Sequence, residues 1–311
     1  DIDGLPLTEE TRLDFASKNG AMHACGHDGH VSILLETARI LNSLKDSFKG
    51  EIILCFQPAE EIVQGALAMI DDGLFDDYHP ERVIGLHIWN QLPSGFVGVN
   101  DSAVFASADA FSLEVKGRGG HGALPHLNID PIVAASHIIS NAQTIVSREI
   151  SPQDPGVLTF GKIESGFAPN IIPDTVSIEG TIRAYSQEVR EKIYSSLERI
   201  SKLSAESMRS TASTEIMYGA GPVVNEQEVA SWVRDKAREV LDDSLVGPTE
   251  PVSVGDDMAE FLQRIPGVYF LLGASVGNKY PHHNTKFDFD EKAMINGVKV
   301  FLSCTLDFLN N

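Results

Sequence analysis

The chain has 311 residues, enough for one large domain or two smaller ones, and its hydrophobic content of 42% is ordinary for a protein with a buried core. Its formal net charge is −20, which argues against nucleic acids and anionic membrane surfaces as partners. The three cysteines, Cys25, Cys55 and Cys304, are too few and too widely spaced for a disulfide framework, so we expect a reducing compartment such as the cytoplasm.

The first part of the chain predicts an α/β domain. Asp1 to Pro6 have the pattern of a strand end that enters a loop, with no Met before them, and we expect the natural protein to begin further upstream. Helical spacing and short apolar runs then predict helices over residues 31–44 and 65–70 and strands over residues 51–56 and 82–89. This alternation is typical of a largely parallel sheet with helices on both faces.

The pattern changes after about residue 108, where alternating apolar and charged residues predict an open-faced strand. The elements that follow have the order β-α-β-β-α-β of a ferredoxin-like α+β domain. They are strands over 111–116, 157–163, 175–185 and 214–218 and helices over 131–146 and 186–208.

From residue 226 the α/β pattern resumes. It predicts helices over 229–241, 256–262 and 291–308 and a buried strand over 266–273. We therefore predict a catalytic domain made of residues 1–108 and 220–311, which is interrupted by an inserted domain of residues 109–219.

The stretch from Met22 to His30 is dense in metal-binding side chains. It reads Met-His-Ala-Cys-Gly-His-Asp-Gly-His, with three histidines, one cysteine and one aspartate. Imidazole, thiolate and carboxylate groups bind borderline transition metals, and Gly26 and Gly29 allow the tight bends that let close ligands converge. A polar loop with incidental histidines is the alternative, but such density is uncommon by chance. The stretch predicts a metal site without identifying the metal.

Three further candidates fall at the ends of predicted strands, where ligands of parallel sheets bind. Glu60 and Glu61 are adjacent, and consecutive side chains of extended backbone point to opposite sides. One can then bind a metal while its neighbour faces a water molecule, as the general base of metal-assisted hydrolysis does. His87 alone is more often a core histidine than a ligand.

A pair of histidines in a late loop completes the candidates. The set is sufficient for two metal ions, whereas a structural zinc site is closed by four ligands. Its members are Cys25, His27, Glu61, His87 and one of His282 and His283.

Eight motifs distributed over the whole chain resemble the M20 family of metallopeptidases and amidohydrolases. The resemblance is to the branch with N-acyl-amino-acid amidohydrolases, hippurate hydrolases and indole-acetyl-amino-acid hydrolases. The motifs are Asp-Ile-Asp-Gly-Leu-Pro (1–6), the stretch 22–30, Gln-Pro-Ala-Glu-Glu (57–61), Gly-Leu-His-Ile-Trp (85–89), Gly-Arg-Gly-Gly-His-Gly-Ala-Leu-Pro-His (117–126), Pro-Asn-Ile-Ile-Pro-Asp (169–174), Gly-Thr-Ile-Arg (180–183) and His-Asn-Thr-Lys-Phe (283–287).

The resemblance implies roles for particular residues. Glu60 falls on the family's general acid/base, and His121 on an inserted-domain histidine that reaches the partner subunit's active site and stabilises the oxyanion. Asn170 and Arg183 fall on substrate-binding positions, Arg183 on the one that binds the substrate carboxylate. The metal-ligand positions are occupied by Cys25, His27, Glu61, His87 and His283. Without the resemblance, a loop histidine, a turn residue and an exposed arginine would be the simpler explanations of His121, Asn170 and Arg183.

The resemblance also implies a fold and an activity. The inserted domain is then a dimerisation or lid domain, so we expect a homodimer or a higher homo-oligomer. Family members carry a helix and strands before the segment that matches Asp1 to Pro6. The implied activity is two-metal hydrolysis of N-acyl amino acids, with Zn, Mn, Co or Ni as the metal. One alternative is a metallo-dipeptidase or carboxypeptidase that acts on short peptides. Another is a catalytically silent binding protein with the same fold, but the intact set of metal ligands argues against it.

Overall fold

The computed structural model describes residues 1–277 and 280–310. The chain divides into two compact units, which we call the outer and the inserted unit. The outer unit consists of Asp1–Val104, Val223–Pro251 and Asp256–Asn311, and the inserted unit of Phe105–Pro222 and Val252–Gly255. The boundaries predicted from the sequence, after residues 108 and 219, lie within four residues of those after Val104 and Pro222.

The outer unit is built on a four-stranded mixed sheet, which confirms the α/β class. Its strands are β1 (Val83–Trp89), β12 (Gly267–Gly273), β2 (Val97–Gly98) and β11 (Val246–Gly247), in that spatial order. The β1–β12 and β2–β11 pairs are parallel and the β12–β2 pair is antiparallel. Strand β12 is buried along its whole length, as its unbroken apolar run predicts.

The helices of the outer unit are α1 (His27–Ser43), α2 (Gly65–Asp71), α3 (Leu74–Asp77), α6 (Gln227–Val240), α7 (Met258–Leu262) and α8 (Met294–Asn310). Of these, α1, α6 and α8 share one hydrophobic core with the sheet. The core joins Ile33 of α1, Val233 of α6 and Val300 of α8 to Phe270 and Leu272 of β12. Among residues 1–277 and 280–310, no helix is both long and apolar enough to cross a membrane.

The inserted unit has the ferredoxin-like arrangement that the order of elements predicts. Its main elements are β4 (Asp109–Lys116), α4 (Pro131–Thr144), β6 (Gly156–Ser165), β8 (Thr175–Ala184), α5 (Gln187–Ser207) and β9 (Thr211–Met217). The strands form one antiparallel sheet in the order β6–β8–β4–β9. Asp130 and Ser186 accept hydrogen bonds from the first amides of α4 and α5, so each helix begins at a residue suited to capping.

Four short strands complete the chain. They are β3 (Ala103–Phe105), β5 (Gly120–His121), β7 (Ile171–Ile172) and β10 (Val223–Val224). β5 pairs with β7 within the inserted unit, and this pairing matters for two of the predicted site residues.

The predicted strand over residues 51–56 is wrong. The segment carries no strand structure in the described part of the chain. It lines a cavity of about 540 Å³ together with Trp232 and Phe301, and within the described residues no strand of a sheet pairs with it. A second correction concerns α1, which begins at His27 and not at residue 31. Gly26, with φ of 89°, starts the helix inside the histidine-rich stretch.

A buried ion pair stabilises the inserted unit. The Arg190 guanidinium donates to both carboxylate oxygens of Asp109, at 2.6 and 3.0 Å, and Tyr194 and Gly219 surround the pair. Burial opposes ionisation of Asp109, but the hydrogen bonds from Arg190 hold the pKa of its carboxyl below the ordinary value.

Arg190→Leu should therefore lower the free energy of unfolding by about 3–5 kcal/mol, because it leaves the Asp109 carboxylate buried without its positively charged partner. Since the folded-state pKa of Asp109 is lowered, the pair's contribution is present above the ordinary aspartate pKa and is lost as the pH falls through the lowered value. Urea denaturation at several pH values measures both effects. Arg199→Leu is the control, because the Arg199–Glu149 pair is partly exposed. Its removal should lower the free energy of unfolding by only about 0–1 kcal/mol. Equal losses in the two variants would contradict the prediction.

Candidate metal centre

Three histidines meet at the backbone of one residue, Ile88, near the end of β1. The amide of Ile88 donates to Nε2 of His30 at 2.8 Å. The Ile88 carbonyl oxygen accepts from Nδ1 of His87 at 2.6 Å and from Nε2 of His282 at 3.0 Å. His87 therefore carries its proton on Nδ1, which leaves the lone pair of Nε2 directed elsewhere.

That lone pair faces a first cluster of metal-binding side chains. Cys25, His27 and His87 each offer a ligand atom, and the three atoms lie within 4.8 Å of one another. Nε2 of His87 is 3.5 Å from the Cys25 sulfur. Nδ1 of His27 is held by the Asp3 carboxylate at 3.1 Å, so its Nε2 is the atom that faces the cluster.

A second cluster shares the same cysteine. Cys25, Glu61 and His283 also bring their ligand atoms within 4.8 Å of one another. Nε2 of His283 is 3.3 Å from the Glu61 carboxylate, and Glu61 lies 4.0 Å from Nε2 of His27. The structure thus brings together all five residues that were predicted as metal ligands, in two overlapping groups around the Cys25 sulfur.

The protonation of these groups fits metal binding. Burial lowers the pKa of His27 to about 3 and that of His87 well below its ordinary value, so both rings are neutral and can bind through a lone pair. Burial raises the pKa of the Cys25 thiol, and the nearby carboxylates of Glu61 and Glu60 raise it further. A cation would offset this concentration of negative charge.

Unsatisfied atoms point to the same conclusion. Nε2 of His27 and Oε1 of Glu61 are buried without a hydrogen-bond partner in the described part of the chain. Buried polar atoms in native proteins are nearly always paired, and these two belong to predicted ligands and face a cluster. The residues present therefore fit a pair of divalent cations.

Glu60 and Glu61 lie in a tight turn and not in extended backbone. The turn spans Glu60–Ile62. The prediction that the two adjacent side chains point to opposite sides is therefore wrong, since it assumed extended backbone. Both carboxylates face Nε2 of His27, Glu60 at 3.8 Å. Burial raises the pKa of Glu60, and the carboxylates of Asp256 and Glu61 raise it further. This residue is buried beside both clusters but belongs to neither of the two that contain Cys25.

The choice between the two loop histidines is clear from their contacts. His283 joins the second cluster, whereas His282 donates to the Ile88 carbonyl oxygen and stacks on Trp89 with ring centroids 4.5 Å apart. His282 is thus part of the packing that surrounds His87.

The three remaining predicted residues lie in the inserted unit. His121 is exposed on β5 and pairs with Ile171 of β7. The exposed Asn170 directly precedes β7, and its carbonyl oxygen accepts from the Gly122 amide at 2.9 Å, so the β5–β7 pair holds His121 and Asn170 near each other. Arg183 is half-buried on β8, where Nη1 donates to the carbonyl oxygens of Ile182 and Asp109 at 3.0 and 3.4 Å.

Sequence reasoning missed four acidic residues at the centre. Asp1 contacts His30 at 2.5 Å, and Asp3 contacts both His27 and the Glu61 amide. Asp256 and Asp257 form a third group with Glu60, with carboxylate oxygens within 4.8 Å of one another. The Gly-Asp-Asp run before α7 was the available signal, since adjacent acidic residues beside an apolar helix are seldom buried without a reason.

Comparison with known proteins places the chain among enzymes. A sequence model of the peptidase family M20/M25/M40 matches residues 1–307. The chain is 40% identical over 296 residues to an N-acetyl-L-cysteine deacetylase of Bacillus subtilis, covering 95% of this chain and 70% of that protein. It is 39% identical over 318 residues to thermostable carboxypeptidase 1 of Saccharolobus solfataricus, covering 100% of this chain and 79% of that protein.

A solved structure agrees with these relatives. The fold matches a dinuclear metal-binding peptidase of the M20 family from Bacillus subtilis with a TM-score of 0.84 and 29% sequence identity, covering 99% of this chain and 79% of that one.

The shared cysteine gives a test of the two clusters. Cys25→Ala should lower the affinity for both ions of a Zn²⁺-loaded protein, roughly 10- to 100-fold or more, because its sulfur belongs to both groups. His283→Ala should weaken only one ion, since His283 belongs to the second cluster alone. Titration against a chromophoric chelator measures both affinities. Cys55→Ala is the matched control, because that thiol contacts Met69 and joins neither cluster. Loss of a single ion in Cys25→Ala would contradict the shared-ligand geometry.

Proposed function

The chain belongs to peptidase family M20/M25/M40, and on that basis we propose that it is a two-metal amidohydrolase that cleaves N-acyl amino acids to a carboxylic acid and a free amino acid. The observation that carries the proposal is the pair of clusters around the Cys25 sulfur, with the buried Glu60 carboxylate beside them. The similarity to a deacetylase of an N-acetyl amino acid supports this substrate class.

In this proposal Cys25, His27 and His87 would hold one divalent ion, and Cys25, Glu61 and His283 would hold the other. When bound, such ions polarise a carbonyl group and lower the pKa of water. Glu60 accepts the proton of the attacking water and then donates it to the leaving amine. Burial and the nearby carboxylates raise its pKa, so the positive charge of the two ions would be needed to keep Glu60 ionised and able to accept a proton.

The inserted unit supplies the substrate contacts of the proposal. Arg183 pairs with the substrate carboxylate, because a guanidinium presents several N–H donors in one plane. Asn170 contributes a further polar contact, and His121 donates to the developing oxyanion. We propose that His121 does so in the active site of a partner subunit, within a homodimer formed through the inserted unit. The cytoplasm remains our proposed location, because all three thiols are free.

The second candidate function is a carboxypeptidase or dipeptidase that uses the same groups. The similarity to a thermostable carboxypeptidase favours it. The two candidates differ in the acyl group that they accept, so a panel of N-acetyl amino acids, N-benzoyl amino acids and dipeptides separates them. Turnover of dipeptides alone would refute the amidohydrolase proposal and leave the peptidase.

Glu60→Gln should lower kcat by roughly 10²- to 10⁴-fold, because an amide cannot accept the proton of the attacking water. The bound metal should remain, since Glu60 is not a member of either cluster around Cys25. Steady-state kinetics and elemental analysis of the same sample measure the two effects. Glu51→Gln, at an exposed position of the preceding segment, should behave as the parent protein. Retained turnover in metal-loaded Glu60→Gln would refute the mechanism.

Mixed dimers test the proposed position of His121. His121→Ala and Glu60→Gln should each be nearly inactive alone, but heterodimers contain one site with an intact Glu60 and an intact partner histidine. Mixing the two variants under conditions of subunit exchange should therefore restore part of the activity. Absence of any recovery in verified heterodimers would show that His121 does not act across subunits.

A further inference from the structure

The loop from Gln57 to Ala66 contains the two glutamates between two residues with strained backbone. Ala59 and Val63 flank the turn of Glu60 and Glu61, and both have left-handed backbone, with φ of 57° and 56°. Residues other than glycine rarely adopt this conformation, and β-branched residues such as valine are among the least suited to it. Such a backbone persists only where surrounding contacts hold it in place.

The two ends of this loop are in contact. A Cβ atom on Gly65 would lie 1.5 Å from the carbonyl oxygen of Pro58, so only glycine permits the approach. The Ala59 carbonyl oxygen accepts from the amides of Gln64 and Gly65, at 3.2 and 3.3 Å. The loop is therefore closed by contacts between the residues that precede and follow the glutamates.

Asp257, far away in the sequence, binds both ends of the loop. Its Oδ1 accepts from Nε2 of Gln57 at 2.5 Å, and its Oδ2 accepts from the Ala66 amide at 2.9 Å. All three residues are buried. The Ala66 amide lies in the first turn of α2, which has no side-chain cap of its own, so the carboxylate satisfies a donor that the helix leaves unpaired.

We propose that Asp257 is a positioning residue that fixes the closed loop, so that Glu60 and Glu61 face the metal centre. The inference rests on the proposed function in one respect, namely that Glu60 is the base and Glu61 a ligand. A direct ligand role for Asp257 is less well supported, although its carboxylate lies near that of Glu60. Both of its oxygens already accept hydrogen bonds from this loop.

A reversal of donor and acceptor tests this role. Asp257→Asn turns an acceptor into an amide donor that faces the Gln57 amide, and Gln57→Glu alone places two carboxylates against each other. In the double variant the new glutamate accepts from the new asparagine, and the asparagine oxygen still accepts from Ala66. The double variant has the same net charge as the parent, with the charge moved to residue 57. Asp257→Ala, which no rotation of the Gln57 amide can repair, extends the series.

Zn²⁺ affinity, kcat, KM and Tm are measured for every variant. We expect each single variant to weaken Zn²⁺ binding and to lower kcat roughly 10- to 100-fold, with a smaller change in KM, because the substrate contacts lie elsewhere. The double variant should recover most of both losses. Single variants equal to the parent would overturn the proposal. The proposal would also be overturned if the Zn²⁺ affinity and kcat of the double variant were no higher than those of the worse single variant. The negative charge at residue 257, and not its hydrogen bonds to the loop, would then support metal binding and turnover.

Glu226→Ala is the control for a purely structural effect. Glu226 accepts from the Val229 amide at 2.7 Å and caps α6 in the same unit. This variant should lower Tm and leave Zn²⁺ affinity and kcat unchanged. If it shifts both as the Asp257 variants do at equal loss of Tm, the positioning role is refuted. A parent protein that binds Zn²⁺ but hydrolyses no N-acyl amino acid would refute the proposed function alone, because the affinity measurements do not depend on turnover.

Discussion

The backbone N–H and C=O of Ile88 orient three histidines at the centre, the ligand His87 among them. The Ile88 amide donates to His30, and the carbonyl oxygen accepts from His87 and His282. A carbonyl oxygen has two lone pairs, and here both are used by imidazole rings. Ile88 lies near the end of β1, whose position is set by its parallel pairing with β12. The orientation of the ligand His87 therefore depends on the register in which β1 pairs with β12.

Electrostatics explains why this arrangement needs a cation. Six acidic side chains, those of Asp1, Asp3, Glu60, Glu61, Asp256 and Asp257, lie around rings that burial keeps neutral. Burying carboxylates together is unfavourable unless positive charge or hydrogen-bond donors compensate. Asp257 is compensated by two N–H donors and Asp3 by His27 and the Glu61 amide. Glu61 retains an unpaired buried oxygen, which is where a bound ion would be most favourable.

The sequence was informative wherever local pattern and tertiary structure agree. The apolar run of β12 and the amphipathic helices of the inserted unit appear in the structure close to their predicted positions. The predicted strand over residues 51–56 is absent from the structure. Apolar side chains indicate that a segment tends to be buried, but a strand also needs a neighbouring strand whose backbone N–H and C=O groups are free to pair with it. Sequence alone does not reveal that partner. Likewise, nothing local to Asp257 shows that it binds a loop almost two hundred residues earlier, since that contact exists only in the folded chain.

The pairing of β1 with β12 has a consequence for how the protein is made. His87 lies on β1, and among residues 1–277 and 280–310 the sheet neighbour of β1 is β12, near the end of the chain. A chain emerging from the ribosome has Cys25, His27 and His87 early, yet the strand that orders the last of them is synthesised only after the entire inserted unit. The first cluster therefore cannot be ordered before β12 has been synthesised, and the second cannot be complete before His283 has. Ion capture by the folded centre follows both steps.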